Sequence, residues 1–382
     1  MKNNYQNIIR FIRELYLTDK FIPLHEPKFF GNEKSYVIDC IDSTYVSSVG
    51  SYVDQFEKMV ANYVGVNFAV ATVNGTSALH IALKLSGVMP GEEVITQPLS
   101  FIATCNAISY CGATPVFVDV DIDTLGLGPE HLRRFLIENT VKKSQGIFNK
   151  VTGKRIAAVL PMHTFGNPCR IDAIAEICSE FGLPLVEDAA ESLGSFYRGK
   201  HTGSFGSISA FSFNGNKTIT TGGGGMIVTD DESLARRAKH MTTTSKLPHA
   251  YDFYHDEVGY NYRMPNINAA LGCAQMEGLS NILLSKREVA GAYSDFFKEN
   301  GFNFVQELDG AKSNYWLNAI MLKDRKERDH FLKDLNDSDI MVRPIWRLMP
   351  ELSMYSSCQS VDISNAKWLE ERVVNIPSSA RL

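Results

Sequence analysis

The feature that most constrains the fold is an alternation of short apolar runs with segments of helical periodicity, which begins near residue 50. NFAVATV (67–73) and EEVITQP (92–98) have the length of strands, and NGTSALHIALKLSG (74–87) between them has the pattern of a helix. Apolar strands separated by helices are typical of a parallel sheet that is covered on both faces. We therefore predict an α/β fold with a mostly parallel central sheet.

The alternation weakens after about residue 230, where long helical segments surround a strand-like YWLNAIML (315–322). We predict an N-terminal helix or segment plus a large domain over 1–265, and a smaller α+β domain over 266–382. The N-terminal MKNNYQNIIRFIRELYL has the pattern of an amphipathic helix. The polar segment TVKKSQGIFNKVTGK (140–154) breaks the alternation, so we predict an exposed insertion there, with a surface hairpin as the plainer alternative.

Charge and cysteine content bear on the partners and the compartment of the protein. The formal net charge is -5, so no basic surplus indicates nucleic acid or an anionic membrane as a partner. The seven cysteines are scattered without a Cys-x-x-Cys pair, as expected for reduced thiols, and we find no metal-ligand spacing. The N-terminus lacks the continuous apolar region of a signal peptide. We predict a cytoplasmic protein without a metal site.

Ligands of open α/β sheets bind beyond the carboxyl ends of the strands, and this rule selects a few residues. Gly75, Thr76 and Ser77 open a helix directly after a strand, which suits an anion but also fits an ordinary N-cap. Asp188 ends a strand, where an ionised carboxylate needs a cation or a hydrogen-bond donor. Phe101 follows another strand and either packs in the core or offers a flat face for stacking.

Lys217 lies in FSFNGNKTITTGGGG (211–225), at the end of a predicted strand and just before four glycines. A strand follows the glycines, so they are not a dinucleotide-binding turn, and NGNKT lacks the Gly-Lys-Ser/Thr of a phosphate loop. The lysine is therefore either a solvated surface residue or an amine that forms a Schiff base. Pyridoxal 5'-phosphate (PLP) requires such a lysine, a carboxylate for its ring nitrogen, a phosphate site and an aromatic face. The chain supplies these groups in the order Gly75-Thr76-Ser77, Phe101, Asp188, Ser212 and Lys217, and we predict PLP as the cofactor.

Three segments together closely resemble the sugar aminotransferases of the DegT/DnrJ/EryC1/StrS family: EDAAESLGS (187–195), FSFNGNKTITTGGGGMIVTD (211–230) and GYNYRMPNINAALG (259–272). The resemblance covers nearly the whole chain, from FIPLHEPKFFGNE to NIPSS. It implies the aspartate-aminotransferase-like fold of PLP enzymes, known as fold type I. It also implies that Lys217 carries the cofactor, that Asp188 binds the ring nitrogen, and that Gly75, Thr76 and Ser212 bind the phosphate.

Four further positions follow from the same resemblance. Phe101 matches the aromatic residue that stacks on the cofactor ring. Glu191 stands where many relatives have a glutamine at the ring hydroxyl, so a glutamate there must be protonated or find another partner. Asn214 replaces a histidine that is common in relatives. Asn261 matches an asparagine that reaches the phosphate of a neighbouring subunit, which implies a homodimer with shared active sites.

The chain most resembles relatives that aminate UDP-4-keto-6-deoxy-N-acetylhexosamines on the way to legionaminic acid and bacillosamine-type sugars. We therefore predict amination at the C4 ketone of UDP-2-acetamido-2,6-dideoxy-hexos-4-ulose, with glutamate as the amino donor. Arg263, Arg343 and His163 are the candidates for contacts with this nucleotide-sugar substrate. The plainer alternatives are solvated or structural arginines and a hydrogen-bonded structural histidine.

Two other functions stay open at this stage. In dehydratases related to this family a histidine stands in place of the cofactor lysine, so Lys217 disfavours a PLP-dependent sugar dehydratase. A non-catalytic binding or regulatory protein on the same fold is disfavoured by the complete set of cofactor residues. Tyr315, Trp316 and Trp346 are predicted to be core aromatics of the smaller domain.

Overall fold

Helices and strands alternate through most of the chain in the computed structural model, which describes residues 4–382. The helices are α1 (Asn4–Tyr16), α2 (Glu33–Asp42), α3 (Ser51–Val64), α4 (Gly75–Leu85), α5 (Ile102–Tyr110), α6 (Pro129–Asn139), α7 (Ile171–Phe181), α8 (Glu232–Thr242), α9 (Asn266–Glu299), α10 (Arg325–Asn336) and α11 (Ser364–Glu370). The strands are β1 (Phe68–Thr72), β2 (Glu93–Thr96), β3 (Thr114–Phe117), β4 (Thr140–Lys143), β5 (Gly146–Asn149), β6 (Arg155–Leu160), β7 (Val186–Asp188), β8 (Phe196–Tyr197), β9 (Lys200–His201), β10 (Ile208–Ser212), β11 (Gly225–Thr229), β12 (Asn303–Phe304), β13 (Ala311–Lys312), β14 (Asn318–Met321), β15 (Arg343–Pro344) and β16 (Val373–Ile376).

The central sheet has the strand order β3-β2-β6-β7-β10-β11-β1. Parallel ladders join β3 to β2, β2 to β6 and β7 to β10, and isolated parallel bridges join β6 to β7. Strand β11 alone is antiparallel to its neighbours, β10 and β1. The prediction of an α/β fold with a mostly parallel central sheet is therefore confirmed.

Helices cover the central sheet, and α3 packs there through a stripe of apolar side chains at helical spacing. In α3, Val53, Phe56 and Val60 are spaced three and four residues apart, and all three are buried. They belong to a core that also contains residues of β11 and of the first half of α9. Gly272 in α9 permits close packing there, because a Cβ at this position would lie 2.8 Å from the Phe56 ring.

The insertion at 140–154 is a hairpin made of β4 and β5, which pairs with the first residues of β6. Strand β5 pairs with β6 through Ile147 and Ile156, so the hairpin is anchored to the sheet. Ile147 is buried, and the buried Asn149 side chain donates to Glu93 at 2.8 Å. The predicted exposed insertion thus has the form of the surface hairpin that was its alternative.

The C-terminal part forms an antiparallel sheet of order β12-β14-β16-β15. Its core contains Ile8 and Ile12 of α1 together with Tyr293 of α9 and Phe331 of α10. The N-terminal helix therefore packs with the smaller domain, and its assignment to the unit 1–265 is corrected on this point. The division at residue 265 otherwise stays a prediction, and residues 1–3 of the predicted helix lie outside the described residues.

Helix α9 is 34 residues long and contributes to both parts of the molecule. Cys273 and Leu279 in its first half are buried against α3, whereas Val289 and Phe297 in its second half are buried against α1 and the C-terminal sheet. Over residues 4–382, no helix is both long enough and apolar enough to cross a bilayer.

Candidate active site

A cavity of about 850 Å³ opens at the carboxyl ends of the parallel strands. It is lined by residues that follow β1, β2, β7 and β10, and by residues of the C-terminal domain. Gly75, Thr76, Phe101, Asp188, Glu191, Ser212 and Lys217 are all among the lining residues. The structure therefore brings together at one site seven residues from four separate segments of the sequence.

The start of α4 forms one wall of the cavity. Asn74 caps the helix, since its side chain accepts a hydrogen bond from the Ser77 N–H at 2.8 Å. Gly75 lies so close to the end of β10 that a Cβ there would approach the Ser212 Cβ to 2.7 Å. The helix N-terminus and the Ser212 hydroxyl thus lie side by side, and both favour an anion such as a phosphate.

Asp188 lies at the end of β7, and it is buried at the base of the cavity. Its carboxylate accepts hydrogen bonds from the Thr104 hydroxyl at 2.7 Å and from the Ala190 N–H at 3.2 Å. Burial raises the pKa of this carboxyl, and the two donors oppose the rise. Among residues 4–382 no cation forms an ion pair with Asp188, and so its negative charge is available to a ligand.

Lys217 and Glu191 face each other across the cavity floor. Lys217 follows β10, and its Nζ lies 3.1 Å from Glu191 Oε1. Glu191 Oε2 accepts the Phe165 N–H at 2.9 Å. Burial raises the pKa of Glu191 to about 7, against the attraction of Lys217. In this structure the glutamate has therefore found a partner in the lysine.

The glycine run after Lys217 is constrained at three of its four positions. Gly222 has a φ of +78°, in the left-handed region that side chains resist. A Cβ at Gly225 would lie 2.4 Å from the Asn74 carbonyl oxygen, and one at Gly224 would lie 2.2 Å from Thr221 Oγ1. At Gly223, by contrast, a Cβ would meet only an ordinary contact, 3.9 Å from Val73 O. Tight packing beside the cavity explains the run, with Gly223 as the exception.

Two tryptophans line the cavity, although both were predicted to be core aromatics. The Trp316 ring centroid lies 3.9 Å from Lys217 Nζ, and Trp346 is near Phe101, with ring centroids 6.1 Å apart. Trp316 also packs in the core between the two domains, so that prediction was incomplete for it. Tyr315 is buried and does not line the cavity.

Basic residues of the C-terminal domain also line the cavity. Arg325 and Arg328 are engaged by Glu370. Arg343 donates only to the Asn336 side chain and the Val342 carbonyl, and Arg347 forms no ion pair in the described part of the chain. Arg343 and Arg347 therefore supply uncompensated positive charge.

Asn375 is the direct cross-strand neighbour of Arg343 and also lines the cavity. It is buried, and its Nδ2 has no hydrogen-bond partner within residues 4–382. A buried amide without a partner is costly, so a polar group of a ligand is expected beside it. Of the three predicted substrate contacts, only Arg343 lies at the cavity, and Asn375 was missed because nothing in the local sequence distinguishes it.

His163 does not reach the cavity, and its assignment as a substrate contact is corrected. Its side chain is completely buried, and its Nε2 lies 3.0 Å from Glu187 Oε2. Glu187 also accepts the N–H groups of Gly203, Phe205 and Gly206. Because successive residues of a strand face opposite ways, Glu187 and His163 lie behind Asp188 and support the loop at 203–206.

Asn261 and Arg263 also lie outside the cavity of this chain. Arg263 donates to Asn261 Oδ1 from Nε and Nη2, both at 3.3 Å, and the Asn261 side chain is exposed. The roles given to these two residues, which involve a second subunit for Asn261, stay predictions.

The residues at the base of the cavity fit PLP by their chemistry. The helix start and Ser212 suit a phosphate, the unpaired Asp188 suits a protonated ring nitrogen, and Lys217 suits the aldehyde. The buried negative charge of Asp188 has a physical explanation when a cationic ring nitrogen is bound beside it. Fold and site together define a PLP-dependent aminotransferase of fold type I.

The chain belongs to the DegT/DnrJ/EryC1/StrS aminotransferase family, whose model matches residues 29–382. It is 40% identical over 363 residues to a GDP-perosamine synthase of Escherichia coli O157:H7, covering 94% of this chain and 93% of that protein. It is 37% identical over 329 residues to the putative pyridoxal phosphate-dependent aminotransferase EpsN of Bacillus subtilis, covering 86% and 82%. The crystal structure of the aminotransferase TlmJ from Streptoalloteichus hindustanus is similar, with a TM-score of 0.85, 27% identity and coverage of 94% and 93%. The protein is a PLP-dependent sugar aminotransferase.

Proposed function

We propose that this enzyme transfers the amino group of glutamate to the C4 ketone of a nucleotide-linked sugar, and that the nucleotide is GDP. The observation that carries the proposal is the single cavity that joins the Lys217 site to the arginines of the C-terminal domain. Relatives that cover most of this chain are named GDP-perosamine synthases, in Escherichia coli and in Vibrio cholerae. They favour GDP over the UDP that we predicted from the sequence.

In the proposed reaction, PLP supplies an aldehyde that holds the amino group and a ring that withdraws electrons from the reacting carbon. The N–H groups at Gly75 and Thr76 and the Ser212 hydroxyl hold its phosphate. Asp188 keeps the ring nitrogen protonated, which its buried position favours once a cation is beside it. Phe101 offers its ring as a stacking face, since it lines the cavity with 46% of its surface exposed.

Lys217 acts in the proposal as the base and acid of the reaction. Its Nζ removes the proton from the carbon of glutamate that bears the amino group, and it returns a proton to the sugar carbon in the second half. Glu191 accepts a hydrogen bond from Nζ and so orients the amine within the cavity. The side chain of Lys217 is 12% exposed, so water has limited access to the proton transfer.

The part of the cavity that the C-terminal domain lines is the proposed site of the nucleotide. A diphosphate carries negative charge, which Arg343 and Arg347 can neutralise because neither has an acidic partner in the described chain. Asn375 offers a buried amide beside Arg343 for a polar group of the substrate. Glu351 lines the same part of the cavity, and a carboxylate there suits the adjacent N–H donors of guanine better than the edge of uracil.

We also propose that the active enzyme is a homodimer. The segment before Asn261 exposes several large apolar side chains, which is unusual for a free surface. They are Tyr251, Phe253, Tyr254 and Val258, each at least 62% exposed. A second copy of the chain would cover this surface and bring Asn261 close to the partner's cofactor, as the family resemblance implies.

The visible absorption spectrum of the PLP-loaded enzyme tests the proposal. We expect a band that glutamate bleaches and that a GDP-linked 4-keto sugar restores, while the UDP-linked sugar fails to restore it. Lys217→Ala should leave no cofactor attached after borohydride reduction and denaturation, whereas Lys58→Ala, which changes an exposed lysine of α3, should behave as wild type. Restoration by the UDP sugar alone would overturn the choice of GDP, and covalent cofactor in Lys217→Ala would overturn the role of Lys217.

A further inference from the structure

Lys217 is held at both ends by one residue of the C-terminal domain, Trp316. The Trp316 ring centroid lies 3.9 Å from Lys217 Nζ, in the geometry of a cation–π contact. The indole Nε1–H donates to the carbonyl of Asn216 at 2.6 Å. Since Asn216 directly precedes Lys217, the same side chain contacts the backbone at the base of the lysine and the amine at its tip.

Trp316 is itself fixed by hydrogen bonds to its own backbone. Its N–H donates to Asn314 Oδ1 at 2.8 Å, and its carbonyl accepts from Lys286 Nζ at 3.2 Å. Only 4% of its surface is exposed. The indole is therefore held in one place relative to the sheet of the C-terminal domain.

Asn314 connects this support to the residues around the reactive amine. Its Nδ2 donates to the carbonyl of Glu191 at 2.9 Å and to the hydroxyl of Thr218 at 3.2 Å. Glu191 is the ion-pair partner of Lys217, and Thr218 is the next residue along the chain. Hydrogen bonds from 314–316 thus reach the chain on both sides of the lysine and also its acidic partner.

We propose that Trp316 is a positioning residue for Lys217, which restricts the amine to the directions from which it can exchange protons with the bound substrate. A lysine side chain has four flexible bonds, and its freedom must be limited before its amine is useful in one place. The indole limits it by a contact at Nζ and by fixing the carbonyl of Asn216. The inference rests on the proposed role of Lys217 as the residue that carries the cofactor.

Trp316→Phe and Trp316→Leu separate the two contacts. Phenylalanine keeps an aromatic face for Nζ but loses the donor to Asn216, whereas leucine loses both. We expect kcat to fall about 5-fold in Trp316→Phe and about 50-fold in Trp316→Leu, because small misplacements of reacting groups are costly. KM for glutamate should change less than about 3-fold, because the proposed role of the indole is to hold Lys217 and not to bind the donor. The circular dichroism of the cofactor band should weaken in the same order, since that signal reports how rigidly the lysine-bound chromophore is held.

Trp368→Phe is the matched control, because Trp368 also packs on a cation, Arg372, but does not line the cavity. It should retain the kcat and the dichroism of wild type. Unchanged kcat and dichroism in Trp316→Phe and Trp316→Leu would overturn the inference, as would a loss of activity that appears only in KM. If Trp316→Leu does not fold, Trp316→Phe decides alone, because phenylalanine fills most of the same space. Covalent cofactor in Lys217→Ala would overturn both the proposed role of Lys217 and the role of Trp316. If Lys217→Ala is inactive while the Trp316 variants keep the kcat and dichroism of wild type, only the role of Trp316 is overturned.

Discussion

Gly75→Ala should weaken binding of PLP by moving the start of α4 away from β10. The added Cβ would lie 2.7 Å from Ser212 Cβ and 3.3 Å from Ser212 Cα. Carbon atoms in ordinary contact are about 3.5 Å apart, so one element must retreat by roughly 0.8 Å. A hydrogen bond of about 2.9 Å that is stretched by this amount is lost. Loss of one such bond to a phosphate costs about 1.5–3 kcal/mol, so we expect Kd for PLP to rise about 10-fold to 100-fold.

Titration of the cofactor-free enzyme with PLP, followed by the visible band, measures this effect. Pyridoxal without its phosphate should bind the variant and wild type equally, because only the phosphate site is changed. Gly291→Ala is the control, since Gly291 lies in α9 and a Cβ there would have no neighbouring atom of residues 4–382 within 4 Å. Equal Kd values for PLP in Gly75→Ala and wild type would refute the argument. If the variant loses affinity for PLP and for pyridoxal by the same factor, the whole site is distorted.

Two further predictions concern buried titratable groups. Asp188→Asn should lower kcat by roughly 10²-fold or more, because the ring nitrogen loses its carboxylate. The cofactor-free variant should nevertheless melt no lower than wild type, because burial already disfavours the Asp188 charge. A parallel loss of activity and melting temperature would contradict this. His201 stays neutral in the folded protein because burial lowers its pKa from 6.5 to about 4. Acid therefore favours the unfolded chain between these values, and wild type should lose about 1.6 kcal/mol more unfolding free energy than His201→Gln between pH 6.5 and 5. Urea unfolding at the two pH values measures this difference. If wild type and His201→Gln lose the same unfolding free energy between these pH values, His201 does not titrate as stated.

The cofactor half of the site could be predicted from the sequence because each of its residues is tied to the end of a strand. Gly75, Asp188 and Lys217 all follow apolar runs, and parallel strands bring their carboxyl ends to one edge of the sheet. The rule fails for His163, which also follows a strand. Whether a residue at a strand end faces the cavity depends on the pairing of its neighbours, here the bridge between Met162 and Asp188, and local sequence does not reveal that pairing.

The C-terminal half of the site was largely missed for a different reason. Strand β15 has only two residues and β16 has four, which is too short for a periodic pattern. Trp316 and Asn375 reach the cavity through long-range packing of that sheet on the central one. Both residues have sequence neighbours typical of a hydrophobic core, and both are indeed buried. Such neighbours predict burial, but they do not reveal that a buried residue also lines the cavity.

Helix α9 has a consequence for how the molecule unfolds. At 34 residues it is about 51 Å long, and its two halves belong to different hydrophobic cores. Loss of either core removes the packing that holds one half of the helix in place. That half must then fray, or extend into solvent from the half that is still packed. The two cores should therefore melt in one cooperative transition, and a single calorimetric peak is the expected thermal behaviour of a chain whose domains share their longest helix.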